Sequence, residues 1–317
     1  MLYSHYTQAR GSKMETETKI KKDTKKRDRR KLTKKEKTII TLSIVIAALL
    51  CVTIWIATTN KALGITRVSI GSNKLPAAFD GYKIAHVSDL HNTEIGKGNE
   101  RLIEKLRETE PDIIAITGDL IDSYCPDVEV SLAFVAEAVK IAPCYYVPGN
   151  HESRVSEYEL LRSGLKNLGV TVLENEGTTL YKNDEAISIF GVIDPMFYEK
   201  TTYAEEKRVM EELLNTHFRD DGRFTLMLSH RPELFETYSD HPIELVLSGH
   251  AHGGQFRLPF IGGLYAPAQG AIPKYDSGIF TKSGTTMIVS RGIGNSAFPF
   301  RLNNNPELII VELSASK

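Results

Sequence analysis

Cysteine is scarce in this chain, with three among 317 residues, and that scarcity excludes a disulfide-stapled scaffold and a cysteine-rich zinc module. Net charge is nearly absent as well, at -1 for pH 7. Charged residues make up 25% and hydrophobic residues 41%, ordinary globular values that exclude wholesale disorder, a collagen-like fibre and a polytopic membrane protein. Internal repeats are missing, and no Gly/Ser or Pro linker divides the region after residue 60, which therefore reads as one domain.

The neutral average conceals a division. Residues 1–38 hold 14 Lys/Arg and 5 Asp/Glu, leaving 25 basic and 35 acidic side chains of the 39 and 40 in the whole chain. A basic tail on an acidic body is not the profile of a body that binds nucleic acid along its surface, so no nucleic acid is expected there. The tail (KKDTKKRDRRKLTKKEK) is expected to be disordered and drawn to anionic headgroups, with a nucleic-acid arm as its alternative.

Ile39–Ala57 follows, 19 residues without a charge. At about 1.5 Å per residue this reaches roughly the 30 Å of a hydrocarbon core. Its polar side chains are Thr and Ser, which can bond back to their own helix, and Trp55 suits an interfacial position. A core helix is rarely apolar on every face. The basic leader is long for a signal peptide, no A-x-A site follows, and Leu50 is too bulky to precede Cys51 in a lipoprotein box. The reading is an uncleaved single-pass anchor at the cell membrane. All the clustered Lys/Arg residues, from Lys13 to Lys37, lie on its N-terminal side, so residues 1–38 are expected in the cytoplasm and the body outside.

The body alternates short apolar runs with stretches of helical spacing. Strands are predicted at Lys83–Ser88, Asp112–Thr117, Pro143–Val147, Ala186–Val192, Phe224–Ser229, Glu244–Ser248, Thr286–Ser290 and Glu307–Glu312. Helices are predicted at Asn99–Thr109, Val128–Lys140, Ser156–Leu168 and Tyr203–His217. Uninterrupted runs such as DIIAIT and ELVLS suit strands covered on both faces, and the alternation predicts an α/β architecture with right-handed crossovers.

Chemistry-bearing residues concentrate where those strands end. In open α/β sheets ligands gather beyond the carboxyl ends of strands. Those positions hold Ser88-Asp89-Leu90-His91, Gly118-Asp119-Leu120-Ile121-Asp122, Gly149-Asn150-His151-Glu152, Ser229-His230 and Gly249-His250-Ala251-His252. Five of the nine histidines fall there. Carboxylate, amide and imidazole donors suit Mn, Fe, Co, Ni or Zn better than Cu(I) or a cysteine zinc knot. In D-x-H and H-x-H both side chains leave an extended segment on one side. Gly118, Gly149 and Gly249 stand where backbone is expected to pass close to the site or take a positive φ. Each piece alone is weak; five in order at predicted strand ends are not coincidence.

In this order the segments resemble the motif series of the calcineurin-like metallophosphoesterases: D-x-H, G-D-x-x-D, G-N-H-[DE], H and G-H-x-H. The resemblance runs from about Tyr82 to the C-terminus, and GHAHGGQFRLPFIGG with the later SRGIGNS is most similar to the membrane-linked bacterial YaeI/YkuE-type branch. It implies a four-layer α/β/β/α sandwich holding two divalent metal ions (Mn, Fe, Zn or Co). Asp89, His91, Asp119 and His252 would hold one, and Asp119, Asn150, His230 and His250 the other, with Asp119 bridging. His151 would stand over the substrate as acid or charge stabiliser, oriented by Asp122, and Glu152 would touch neither metal. Two cations about 3.5–4 Å apart would bind phosphate oxygens and acidify a bridging water, whose hydroxide attacks the ester.

The expectation is therefore a basic tail (1–38), an anchor (39–57), a linker and start of the body (58–80), and a metallophosphoesterase domain (81–317). The function expected is hydrolysis of a phosphate ester, with preference for a phospholipid or envelope-linked diester. A broad phosphomonoesterase and a membrane-tethered, non-catalytic metal-binding module are the alternatives.

Other residues have two readings. Arg231, Arg257, Arg291 and Arg301 flank the motif loops and either grip phosphate or pair with local carboxylates on the surface. His86 reads as a packed histidine, His217 and His241 as helix-end or loop residues. Cys125 and Cys144 are candidates for pairing in an oxidising exterior. Phe256, Leu258, Phe260, Ile261, Leu264 and Tyr265, with Phe298-Pro299-Phe300, either pack the base of their own loop or form a lip toward the bilayer.

Overall fold

The computed structural model describes residues 32–198, 202–295 and 298–315. Most of the basic tail, residues 1–31, lies outside the described residues. The chain divides after Thr53, and the part from Ile54 onward is the larger unit.

Helix α1 (Lys34–Thr59) starts at a capping box: Thr33 Oγ1 accepts the Glu36 amide at 3.2 Å while Glu36 Oε2 accepts the Thr33 amide at 2.8 Å. It is apolar on every face over most of its length and none of its residues is buried. By length and composition it can cross a membrane. Its hydroxyls turn inward as expected for such a helix, with Thr53 donating to Leu49 O and Thr58 to Ile54 O, each at 2.9 Å.

The second unit is a mixed α/β fold. In chain order its principal elements are β1 (Gly64–Ser72), β2 (Lys83–Val87), α2 (Glu100–Thr109), β3 (Ile113–Thr117), α3 (Val128–Ala138), β4 (Cys144–Val147), α4 (Tyr158–Asn167) and β5 (Thr171–Val172). There follow β6 (Glu176–Lys182), β7 (Glu185–Gly191), α5 (Tyr203–His217), β8 (Thr225–Leu228), α6 (Phe235–Tyr238) and β9 (Leu245–Ser248). Four two-residue strands, β10 (Arg257–Leu258), β11 (Gly262–Gly263), β12 (Tyr265–Ala266) and β13 (Gly270–Ala271), form two small hairpins. The chain ends with β14 (Gly278–Lys282), β15 (Thr285–Val289) and β16 (Glu307–Ala315).

Two six-stranded sheets result, ordered β1-β16-β2-β3-β4-β5 and β14-β15-β9-β8-β7-β6. Strands β2 to β5 run parallel, as do β7, β8, β9 and β15, while β16 runs against β2 and the edges β6 and β14 run against their neighbours. Every predicted strand and helix is present. The unpredicted β1, β6 and β14 are sheet edges with mostly exposed or half-buried side chains, so their pattern is polar and weak.

Alternation along the strands sends neighbours to different cores. Val87, Ile114, Ile116 and Tyr146 of the first sheet pack with Leu102, Leu106, Phe134, Leu161 and Leu165 of α2, α3 and α4. Ile84, Ala115 and Val147 face the other way, into one core with Ile189, Leu226, Leu228, Leu245 and Leu247 of the second sheet. Met227, Val246 and Met287 lie on that sheet's opposite face with Met210, Leu213 and Leu214 of α5 and Phe235 of α6. Leu226, Met227 and Leu228 thus alternate between two cores, which is why these strands read as continuous apolar runs. All three cysteines are free: Cys144 is buried against the helices and Cys125 is exposed, so the expected candidate pair is not joined.

Candidate metal centre

The loops leaving β2, β3, β4, β8 and β9 meet at one end of the two sheets, held by bonds that run from loop to loop. The His91 amide donates to Asp119 O at 3.0 Å and the His151 amide to Asp119 Oδ1 at 2.9 Å. His230 Nδ1 lies 2.7 Å from Thr117 O, and the His250 amide donates to Asp89 Oδ1 at 3.0 Å, so second-sheet loops lock onto first-sheet loops. Asp89, His91, Asp119, Asn150, His230, His250 and His252 are all buried.

Donor atoms of Asp89, His91, Asp119 and His252 lie within 4.8 Å of one another, as do those of Asp119, His230 and His250. Asp119 belongs to both groups, and His91, Asp122 and His151 make a third. His91 Nε2 faces His252 Nε2 at 3.2 Å, and His230 Nε2 lies 3.0 Å from Asp119 Oδ2. Yet His91 Nδ1 and Asn150 Oδ1 are buried without a hydrogen-bond partner among the described residues, and His230 Nε2 meets the shared Asp119 carboxylate. Such orphaned polar atoms cost about 1–3 kcal/mol each. Carboxylate, imidazole and amide atoms crowded together in the interior fit a divalent cation as the missing partner.

The backbone is strained to achieve this. Asp89, His91, Asp119, His250 and His252 all have positive φ, from 46° to 64°. Non-glycine residues take that region at a cost and tend to do so at functional sites. Gly118, at φ 85°, could not be replaced without overlap, because a Cβ there would stand 2.6 Å from Gly149 N and 2.8 Å from His230 Nδ1.

Glu152 holds the centre from behind. Its Oε2 accepts the amides of Asp119 at 2.9 Å and Gly149 at 2.7 Å, and its Oε1 accepts that of Ile121 at 3.1 Å. One carboxylate thereby joins the loops after β3 and β4. Burial, then the charge of Asp119, raises its pKa to about 7. The motif pattern placed Glu152 beside the site; only the fold reveals the three amides it gathers.

The charge states differ across the cluster: burial would lower His230, but the Asp119 carboxylate raises it to about 10, so a cation there would take the place of that proton. Burial alone would raise the Asp119 carboxyl, but His230 and then His151 outweigh it and hold Asp119 well below the usual carboxylate range. Burial lowers His252 to about 3, and burial with the nearby Arg231 guanidinium keeps His250 far below its ordinary value, so both rings are neutral with lone pairs to offer.

His151 sits against this cluster, its ring 4.4 Å from that of His91 and edge-on to it. The Ser123 amide donates to His151 Nδ1 at 2.9 Å. An amide can only donate, so Nδ1 accepts and the neutral ring carries its proton on Nε2. Asp122 Oδ1 is 3.6 Å from Nδ1 and instead accepts the Tyr124 amide at 2.8 Å. Asp122 thus braces the turn that carries Ser123 and makes no hydrogen bond of its own to Nδ1.

A cavity of about 500 Å³ opens over Asp119, Asn150, His151, His250 and His252, walled by Tyr124, Arg154, Tyr203, Glu206, Arg231 and Tyr265 among others. The motif pattern did not single out Tyr124, Arg154, Tyr203 or Glu206. They belong to no repeating signal and reach the cavity only through folding. Arg231 is buried and held by Asp194, through Nε at 2.5 Å and Nη2 at 3.1 Å, and by Glu233 at 3.1 Å. Arg257 pairs with Asp276 and Arg291 with Glu307, each at 2.9 Å, whereas buried Arg301 donates to the carbonyls of Arg291 and Gly294. The carboxylate-partner reading holds for three of the four, though Arg231 is buried. His86 is the packed histidine expected, its Nε2 2.8 Å from Thr117 Oγ1.

The sequence model described as calcineurin-like phosphoesterase matches residues 82–254. The chain belongs to that family. It is a metal-dependent hydrolase of phosphate esters, with its Asp/His cluster as the metal-binding site. Among its relatives is the metallophosphoesterase YkuE of Bacillus subtilis, 30% identical over 259 residues, covering 79% of this chain and 85% of its own length. The phosphodiesterase YaeI of Escherichia coli is 28% identical over 213 residues, 65% of this chain and 72% of YaeI. A Danio rerio transmembrane protein with a metallophosphoesterase domain is 26% identical over 255 residues, 78% of this chain and 56% of that protein.

Proposed function

We propose that this phosphoesterase is a membrane-anchored, dinuclear phosphodiesterase acting on a phospholipid or envelope-linked diester. The observation that carries the reading is the pair of donor clusters sharing Asp119 at the floor of the cavity. Asp89, His91, Asp119 and His252 would hold one cation, and Asp119, Asn150, His230 and His250 the other. Bound there, two cations would offset phosphate charge and make a water acidic near neutral pH. The protein's own groups do the rest. Neutral His151 keeps its proton on Nε2 and donates a hydrogen bond to a phosphate oxygen or to the leaving oxygen, stabilising the charge that develops there. Arg154, exposed at the mouth and without an ion pair among the described residues, meets the incoming phosphate. Glu152 keeps the Asp119 and Asn150 loops in register.

The three cores support a four-layer α/β/β/α reading of the domain at 81–317, and the exposed apolar helix supports the anchor at 39–57. The basic residues before the helix favour a cytoplasmic N-terminus and an external body. A diester is preferred because the phosphodiesterase YaeI is a relative and because Tyr124, Tyr203, Tyr265 and Met196 in the cavity wall could pack against a second ester substituent.

The test uses full-length protein in detergent, stripped with chelator and reloaded with Mn, Co, Zn or Fe. Hydrolysis of bis-p-nitrophenyl phosphate is compared with p-nitrophenyl phosphate, beside Asp119→Ala and His151→Ala. Metal-dependent turnover preferring the diester is expected, with each variant at least about a hundredfold slower. Preference for the monoester would replace the diesterase by the phosphomonoesterase reading. Wild-type turnover by either variant would overturn its assigned role.

A further inference from the structure

The segment after the H-x-H motif carries apolar side chains that the fold leaves uncovered. Hairpin β10–β11 presents Leu258, Phe260 and Ile261, and Phe260 at its tip is fully exposed, at 109%. Phe256 does pack the base of the loop, with its ring 5.3 Å from Phe298 and 5.5 Å from Phe300. The outer parts of Phe298 and Phe300 remain exposed all the same. The same chain segment then passes directly into the cavity wall at Tyr265, Pro267 and Ala268. Apolar tip and cavity mouth are thus one continuous structure.

What covers this surface is indicated by where it is fastened. Asn60 directly follows α1. Its Oδ1 accepts the Arg301 amide at 2.6 Å, and its Nδ2 donates to Arg301 O at 2.8 Å and to Ile56 O at 2.8 Å. The last turn of the apolar helix is therefore pinned to the residue after Phe300. The hairpin joins the same loop, with the Arg257 amide donating to Leu302 O at 3.0 Å and Gln255 Nε2 to Phe300 O at 2.7 Å. Exposed Lys61 adds a cation at the helix end, where anionic headgroups would meet it.

We propose that Leu258, Phe260, Ile261, Phe298 and Phe300 form a lip that enters the lipid interface at the point where α1 leaves the bilayer. The lip turns the cavity mouth toward headgroup phosphates held in the plane of the membrane. Aromatic and aliphatic side chains on a hairpin tip are suited to that boundary. The proposal rests on α1 being a membrane anchor.

The experiment separates the two ideas. Full-length protein is placed in nanodiscs of phosphatidylethanolamine and phosphatidylglycerol, with bromine on the lipids near the headgroup or deep in the chain. In the wild type, Trp55 reports insertion of the anchor. In a Trp55→Phe background, Phe260→Trp reports the lip, and Tyr181→Trp on edge strand β6 reports the exposed body. Each variant is first required to hydrolyse bis-p-nitrophenyl phosphate at the Trp55→Phe rate. Shallow bromine is expected to quench the Phe260→Trp fluorescence at least twofold and to leave that of Tyr181→Trp unchanged. Quenching of Trp55 without quenching at the lip would overturn the lip and leave the anchor standing. A lip tryptophan shielded from aqueous acrylamide but unaffected by bromine would mean that protein, such as a second copy, covers it, and would also overturn the proposal. Failure to quench Trp55 would overturn the anchor, and the lip with it.

Discussion

Replacing Glu152 by alanine would strip the acceptor from three buried amides at once, those of Asp119, Ile121 and Gly149. At about 1–3 kcal/mol for each orphaned donor, the loss is about 3–9 kcal/mol. Against it stands the cost of keeping the carboxylate itself. Burial first and Asp119 second raise Glu152 from 4.5 to about 7, worth roughly 3 kcal/mol once the group is ionised. The sign follows from linkage: a raised carboxyl costs nothing below pH 4.5 and progressively more as pH climbs through about 7. At pH 8 the alanine variant escapes that cost, and its net destabilisation shrinks to about 0–6 kcal/mol. Overall stability is therefore the weaker readout. Metal affinity is the stronger one, because Asp119 and Asn150 sit on the two loops that Glu152 joins. Loss of a group that supports metal ligands costs roughly 10–100-fold in affinity. Manganese titration of chelator-stripped, full-length protein by calorimetry measures it. Glu152→Gln should fall between, since its amide can still accept two N–H groups but turns an NH₂ toward Ile121. An alanine variant that binds manganese as tightly as the wild type would refute the reasoning.

Three further outcomes are expected. Burial depresses His86 from 6.5 to about 4, so the unfolded chain takes up the proton first and stability falls by roughly 3 kcal/mol as pH drops through that window; denaturant titrations of His86→Phe should lack this part of the slope, and an unchanged slope would exclude His86 as its source. Arg231→Met leaves Asp194 and Glu233 buried without their cation and should cost about 3–5 kcal/mol in denaturant unfolding, with Arg231→Lys recovering part because a single ammonium cannot reproduce the fork. Wild-type stability in the methionine variant would contradict that account. Gly118→Ala should abolish manganese binding, whereas Gly169→Ala, at φ 86° with nothing within 4 Å, should cost only about 1–2 kcal/mol and bind normally; equal behaviour of the two would refute close approach as the reason for glycine at 118.

The two halves of this protein were legible to different degrees because they rest on interactions of different range. Period and run length are local, so the apolar helix, the doubly buried strands and the motif-bearing turns could be read directly from neighbouring residues. The imidazoles and carboxylates at strand ends could also be named, because five separate signals had to agree. Edge strands β1, β6 and β14 escaped because a half-covered strand needs little apolar alternation. Tyr124, Arg154, Tyr203 and Glu206 escaped because no spacing links them; they meet only where loops from both sheets close on one cavity.

The sequence by itself determined which chemistry is available: hard and borderline donors, a single apolar helix, an acidic body and a neutral overall charge. Tertiary structure alone decided how those donors relate. It set Asp119 between two clusters, aimed the Ser123 amide at His151 Nδ1, turned Glu152 into a clamp on three amides, and fastened Arg301 to Asn60. Residue identity fixes what an atom can donate or accept. Which atoms meet depends on contacts between segments far apart in the chain, created only when the two sheets pack together.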